Sequence, residues 1–125
     1  MRALVFSLSR LVHRRGKLLF SQNGERTIRS TLPFYDGWNR EDVSATYDFA
    51  AHRYVRQPPA EVAEAARALR RIRAAGLLTL ATDYTARADA SGAAAAIRVA
   101  CAAGALPFVS DIGLTRVPGA PPRCG

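Results

Sequence analysis

The stretch that decides the fold is 58–84, PPAEVAEAARALRRIRAAGLLTLATDY. Val62, Ala66, Leu69 and Ile72 recur at helical spacing and form one apolar stripe. Pro58-Pro59 precede the first turn, Glu61 and Glu64 put negative charge near its start, and arginines crowd the later turns. Gly76 stands where such a helix must stop. Leu77 to Thr82 follows as an apolar run of strand length and ends at Asp83-Tyr84. A helix that delivers the chain into a strand buried on both faces is half of a repeating β/α unit.

The same pattern extends outward in both directions. Downstream, Ser91 is placed to cap a helix running to about Ala103, Gly104 closes it, and Leu106–Ser110 reads as a last strand ending at Asp111. Upstream, Leu4, Leu8, Leu11, Val12 and Arg15 recur at helical spacing, with Gly16 at the position of a left-handed cap. Lys17–Ser21 reads as a buried strand that stops at the turn sequence Gln22-Asn23-Gly24, and Phe34–Trp38 as a shorter one. From Ser44 to Pro59 no clean period is visible, which predicts a loop anchored by Tyr47, Phe49 and Tyr54.

The order of elements predicts an α/β fold with parallel strands alternating with helices through right-handed crossovers, half of a (β/α)8 barrel. It fills residues 1–118, and 119–125 form a Pro-rich tail. Helices should cover one outer face, while the face meant for the barrel interior exposes apolar side chains. Two open sheet edges invite self-association.

Composition narrows the function classes. The 125-residue chain carries a formal charge of +8, almost all of it arginine, with Lys17 the sole lysine. Arg67, Arg70, Arg71 and Arg73 fall at the spacing of a solvated helix face, without the interleaved aromatics of a single-strand platform, which argues against nucleic acid as a partner. No apolar stretch reaches the length of a membrane span, so no membrane partner is expected. The apolar run Ala3–Leu8 is short and lacks a small-residue cleavage pattern, which argues against a cleavable export signal. Cys101 and Cys124 read as a buried thiol and a tail thiol, with no metal-ligand spacing, and His13 and His52 as exposed side chains without companions. No phosphate-cradling glycine loop is present, so neither a cofactor nor a metal is expected.

Each strand exit carries polar residues, and Asn39-Arg40-Glu41-Asp42 is the densest group. An acid set between an arginine and a second acid at a barrel mouth suits proton transfer, while an exposed loop gives the same pattern with no chemistry. Trp38 reads as core, and Asp111 as a cap on the turn at Ile112 to Leu114.

The order of these motifs resembles one family. Gln22 to Glu25, Asp36-Gly37, Arg40 to Asp42, Tyr47-Asp48, Asp83-Tyr84 and Pro107 to Val109 look like the carboxyl-terminal half of the endo-α-1,4-polygalactosaminidase barrel, glycoside hydrolase family 114. The likeness runs from about Lys17 to Pro118. It implies a barrel that cleaves α-1,4-galactosaminoglycan with two carboxylates, with a polysaccharide or amino-sugar oligosaccharide as the bound partner. Glu41 matches the family's acid/base, and the resemblance implies substrate contacts from Gln22, Asn23, Arg40, Asp83 and Tyr84. Gln22-Asn23 read equally as a polar turn, and Asp83 as a helix cap. The partner aspartate, from the first half of the family barrel, has no counterpart, which implies that the chain is inactive alone. Val43-Ser44-Ala45-Thr46 replaces the aromatic, glycine-rich stretch usual after Arg-Glu-Asp. Members of the family are typically secreted or held at the cell envelope. Two other functions fit the pattern: a degenerate carbohydrate-binding remnant, and a basic α/β module that binds nucleic acid.

Overall fold

A computed structural model describes residues 1–116, 122 and 124; the tail assigned to 119–125 lies almost wholly outside the described residues. Helix α1 (Arg2–His13) leads into strand β1 (Phe20–Gln22), a single-turn helix α2 (Glu25–Ile28), a 3-10 turn at Leu32–Phe34, and strand β2 (Gly37–Glu41). A hairpin of β3 (Ala45–Asp48) and β4 (Arg53–Arg56) follows, then α3 (Pro59–Ala74), β5 (Leu78–Tyr84), α4 (Ala90–Ala102) and β6 (Leu106–Ser110). Strands β1, β2, β5 and β6 form one sheet in that order, every neighbouring pair parallel. This is the expected half of a β/α barrel.

The outer face of the sheet holds the core. Trp38 on β2 and Ala81 on β5 pack with Leu69 and Ile72 of α3, and with Ala100 and Ala103 at the end of α4. The small alanines leave room beneath the helices, so the Trp38 indole fills the space between sheet and helices and is fully buried, its Nε1 donating to the Asn23 carbonyl at 2.8 Å. Gly16 and Gly76 adopt the left-handed conformation expected where α1 and α3 end.

Side chains alternate across a strand, so the other face is fixed by the same register. Phe20 pairs with Gly37, Gln22 with Asn39, Glu41 with Thr82, Leu80 with Leu106, and Tyr84 with Ser110. Phe20, Leu78 and Leu106 on this inner face are 36%, 46% and 51% exposed, the apolar surface expected of an open barrel interior. The Phe20 ring lies over Gly37, where a Cβ would stand 2.1 Å from its Cε1.

Several local expectations change. The segment 44–59 is not a loop: Tyr47 and Tyr54 are cross-strand partners with ring centroids 5.0 Å apart. Its turn is built by the Asp48 carboxylate, which accepts from the backbone N–H of Ala50 and Ala51, and by His52 at φ 50°. Strand β1 begins later than Lys17, and β2 extends beyond Trp38 to Glu41, because the ladder to β5 continues along the polar residues. Asp89, not Ser91, caps α4 by accepting from Gly92 N at 2.8 Å. Cys101 and Cys124 are not free thiols but a disulfide. His13 has a companion: its Nε2 meets the Asp36 carboxylate at 2.8 Å and ties α1 to the entry of β2.

Candidate active site

The carboxyl ends of the parallel strands bring Gln22, Asn23, Glu41 and Tyr84 to one edge, since each stands at or just past the end of its strand. Glu41, Tyr84 and Gln22 share the inner face by alternation, with Asn39 and Thr82 beneath them. Asn39 Oδ1 accepts from the Thr82 hydroxyl at 3.0 Å. Asn39 belongs to the polar group singled out from sequence, whereas Thr82 read only as the end of an apolar run and becomes visible as the position two before Tyr84.

Both oxygens of the Glu41 carboxylate are held. The Tyr84 hydroxyl donates to Oε1 at 2.5 Å, and the Asn23 side-chain amide donates to Oε2 at 3.1 Å. Asn23 also accepts from the Glu41 backbone N–H at 2.9 Å through Oδ1, which fixes which end of its amide faces the carboxylate. It reaches this position from a left-handed backbone, φ 51°, a conformation that asparagine tolerates better than most residues. Burial, followed by the hydrogen bond and negative charge of Glu41, raises the Tyr84 pKa, so the phenol stays protonated and remains a donor.

Arg40 and Asp83 lie on the opposite, helix-facing side of the sheet. Arg40 Nε pairs with Glu25 Oε1 of α2 at 2.9 Å. Asp83 is buried, and its carboxylate accepts from Ser44 N at 2.6 Å, Ala45 N at 2.8 Å and the Ser44 hydroxyl at 3.2 Å. Burial raises its pKa against the pull of those donors. Asp83 therefore anchors the base of the β3–β4 hairpin beside the site. A cavity of about 130 Å³ lies between hairpin and strand exit, lined by Ala45, Tyr54, Val55, Arg56, Tyr84, Thr85 and Asp89. Asp111 binds Thr115 through its backbone N–H at 2.9 Å and its hydroxyl, closing the turn after β6. Among the described residues no three His, Cys, Asp or Glu side chains converge to hold a metal, and no helix is long and apolar enough to cross a membrane.

Parallel strands alternating with helices define half of a β/α barrel, and this half matches a glycoside hydrolase domain in fold. The chain is similar to two solved structures of the glycoside hydrolase domain of PelA from Pseudomonas aeruginosa, one of them a glutamate-to-alanine variant. Their TM-scores are 0.72 and 0.70, each with 28% identity over 93% of this chain and 46% of the solved one. The chain thus spans about half the length of the domains it matches. Neither a protein-family model nor a curated protein matches it.

Proposed function

We propose that the chain is the carboxyl-terminal half of a glycoside hydrolase barrel of the endo-α-1,4-polygalactosaminidase type, family 114, acting on α-1,4-galactosaminoglycan when the barrel is complete. The observation that carries this reading is the Glu41 carboxylate, on the inner face at the mouth and gripped by Asn23 and Tyr84. Glu41 is the acid/base, while Gln22, Asn23 and Tyr84 line the path of the sugar. Arg40 and Asp83 serve the substrate indirectly, the first by bracing β2 through Glu25 and the second by holding the hairpin. Glycoside hydrolysis needs a second carboxylate for the nucleophile or for activating water, so a single copy binds without turnover. The Cys101–Cys124 bridge is a bond of oxidising compartments, which supports placement outside the cytoplasm.

The test is an NMR titration of the chain with α-1,4-galactosamine oligomers, followed by a reducing-sugar assay. Shifts concentrated at Asn23, Glu41 and Tyr84, weakened about tenfold or more by Glu41→Ala, are expected, a loss of ~1.4 kcal/mol. Absence of binding, or shifts confined to the arginine face of α3, would defeat the assignment. Hydrolysis that survives Glu41→Gln would remove Glu41 from the acid/base role.

A further inference from the structure

We propose that the cavity between the β3–β4 hairpin and the exit of β5 is a second sugar subsite, seating the amino-sugar residue next to the one held at Glu41. The identity of the sugar rests on the hydrolase reading; the site does not. The hairpin supplies Ala45, Tyr54 and Arg56, the end of β5 supplies Tyr84 and Thr85, and Asp89 stands at the start of α4. Alternation puts Ala45, Tyr47, Tyr54 and Arg56 on one face of the hairpin, where the small Ala45 leaves space. The Tyr54 hydroxyl accepts from Ile112 N at 3.2 Å, and the Asp83 carboxylate accepts from Ala45 N at 2.8 Å. That face is therefore tied to the exits of both β5 and β6, and the cavity is formed before any ligand arrives.

Thr85 is the residue that points to a ligand. The ladder to β6 continues to its backbone N–H, which donates to the Ser110 carbonyl at 2.9 Å, and alternation puts its side chain on the same side as that of Asp83. Asp83 uses its carboxylate on the hairpin. The Thr85 hydroxyl, on a residue only 3% exposed, has no hydrogen-bond partner among the described residues. A buried hydroxyl left in that state costs free energy, which a bound polar group recovers. Two charged groups line the cavity with it. Arg56 offers donors, and Asp89 offers acceptors: its Oδ1 takes the bonds from Gly92 N and the Ser91 hydroxyl, while Oδ2 takes neither. Those bonds, Gly92 foremost, lower the Asp89 pKa, and the charge of Arg56 adds to the effect, so the carboxylate is an anion.

A cation, an anion and an unpaired hydroxyl set against a tyrosine match the chemistry of an amino-sugar ring. The ring's ammonium or hydroxyl hydrogens go to Asp89, its hydroxyl oxygens to Arg56 and Thr85, and its apolar C–H face to Tyr54. The aromatic surface continues outward from there. Tyr54 meets Tyr47 with ring centroids 5.0 Å apart, and Tyr47 meets Phe49 at 5.1 Å, with Phe49 70% exposed. On the other side, Tyr84 lines the cavity and its hydroxyl holds the Glu41 carboxylate. One side chain thus separates the cavity from the acid, and a polysaccharide held at Glu41 passes its next residue under the hairpin.

The experiment is an NMR titration of the chain and of Thr85→Val with α-1,4-galactosamine oligomers, together with denaturant unfolding of both. Valine keeps the shape of threonine and removes only the hydroxyl. Chemical-shift changes are expected at Tyr54, Thr85 and Asp89 alongside those at Glu41, with binding weakened about fivefold to tenfold by Thr85→Val, the worth of one hydrogen bond. The unfolding midpoint of the variant should not fall, because the hydroxyl has no partner to lose. Unchanged binding by Thr85→Val, or shifts at Asn23 and Glu41 with none at the cavity, overturns the subsite and leaves the hydrolase reading standing. A lowered midpoint with unchanged binding assigns the hydroxyl to a structural water only and overturns the subsite as well. Cavity shifts without any at Glu41, persisting in Glu41→Ala, uphold the sugar site and overturn the hydrolase reading. Silence at both places overturns both.

Discussion

The Glu41 carboxylate and the Asp36 carboxylate show how single residues are read at this mouth and at its base. Strand exits were legible because apolar runs stop at polar residues, and Gln22-Asn23, Glu41 and Tyr84 lie where those runs end. Which of two adjacent polar residues faces inward was not, because that parity depends on where each ladder begins. The packing of Phe20 over Gly37 and the burial of Trp38 on the opposite face settle it for β2. Asp36 was legible only as part of a motif, yet its carboxylate accepts from Leu19 N at 2.7 Å as well as from His13. Those bonds, the backbone one foremost, lower its pKa below the ordinary 3.8. The sign follows: the stabilisation is complete above about pH 3.8 and is lost as pH falls through the lower folded value. Thermal melting between pH 5 and pH 2, a window of about three units around the carboxylate range, should therefore fall more steeply for the wild type than for Asp36→Asn. Parallel curves would remove Asp36 from the acid-sensitive set.

At the scale of elements, helices α3 and α4 and strands β5 and β6 announced themselves through caps, stripes and apolar runs. The β3–β4 hairpin did not. Its turn has no glycine and no Asn-Gly pair, and its order comes from an Asp48 side chain and from the distant Asp83. Removing that anchor as Asp83→Ala leaves the buried N–H groups of Ser44 and Ala45 without acceptors, a loss of about 3 kcal/mol. Denaturant unfolding should show it, with Asp83→Asn losing less because one acceptor remains. Faster hydrogen exchange at Ala45 should accompany the alanine variant. Unchanged stability would mean that the hairpin holds itself.

For the whole molecule, the half-barrel was legible because one β/α unit repeats, and the exposure of Phe20, Leu78 and Leu106 follows from their place on the inner face of the four strands. The disulfide was not, because Cys101 and Cys124 are 23 residues apart in sequence and no spacing rule pairs them. A covalent loop of that length contributes about 3 kcal/mol by restricting the unfolded chain. Reduction should therefore lower the melting temperature by several degrees while leaving the Glu41 environment unchanged, as followed by NMR of the Tyr84 and Asn23 signals. Equal melting in the two redox states would show that the bridge does not constrain the unfolded chain.

The alternation along β2 has a meaning for folding fidelity. Arg40 and Glu41 differ by one step and by the sign of their charge, so a slip of one residue between β1 and β2 would present a guanidinium to the mouth and bury an acid against the helices. The two contacts that forbid the slip are the Phe20 ring seated on a glycine and the Trp38 indole bonded to the Asn23 carbonyl. They proofread the strand before any ligand can, and the charge at the mouth is in that sense written by a pair of aromatic rings.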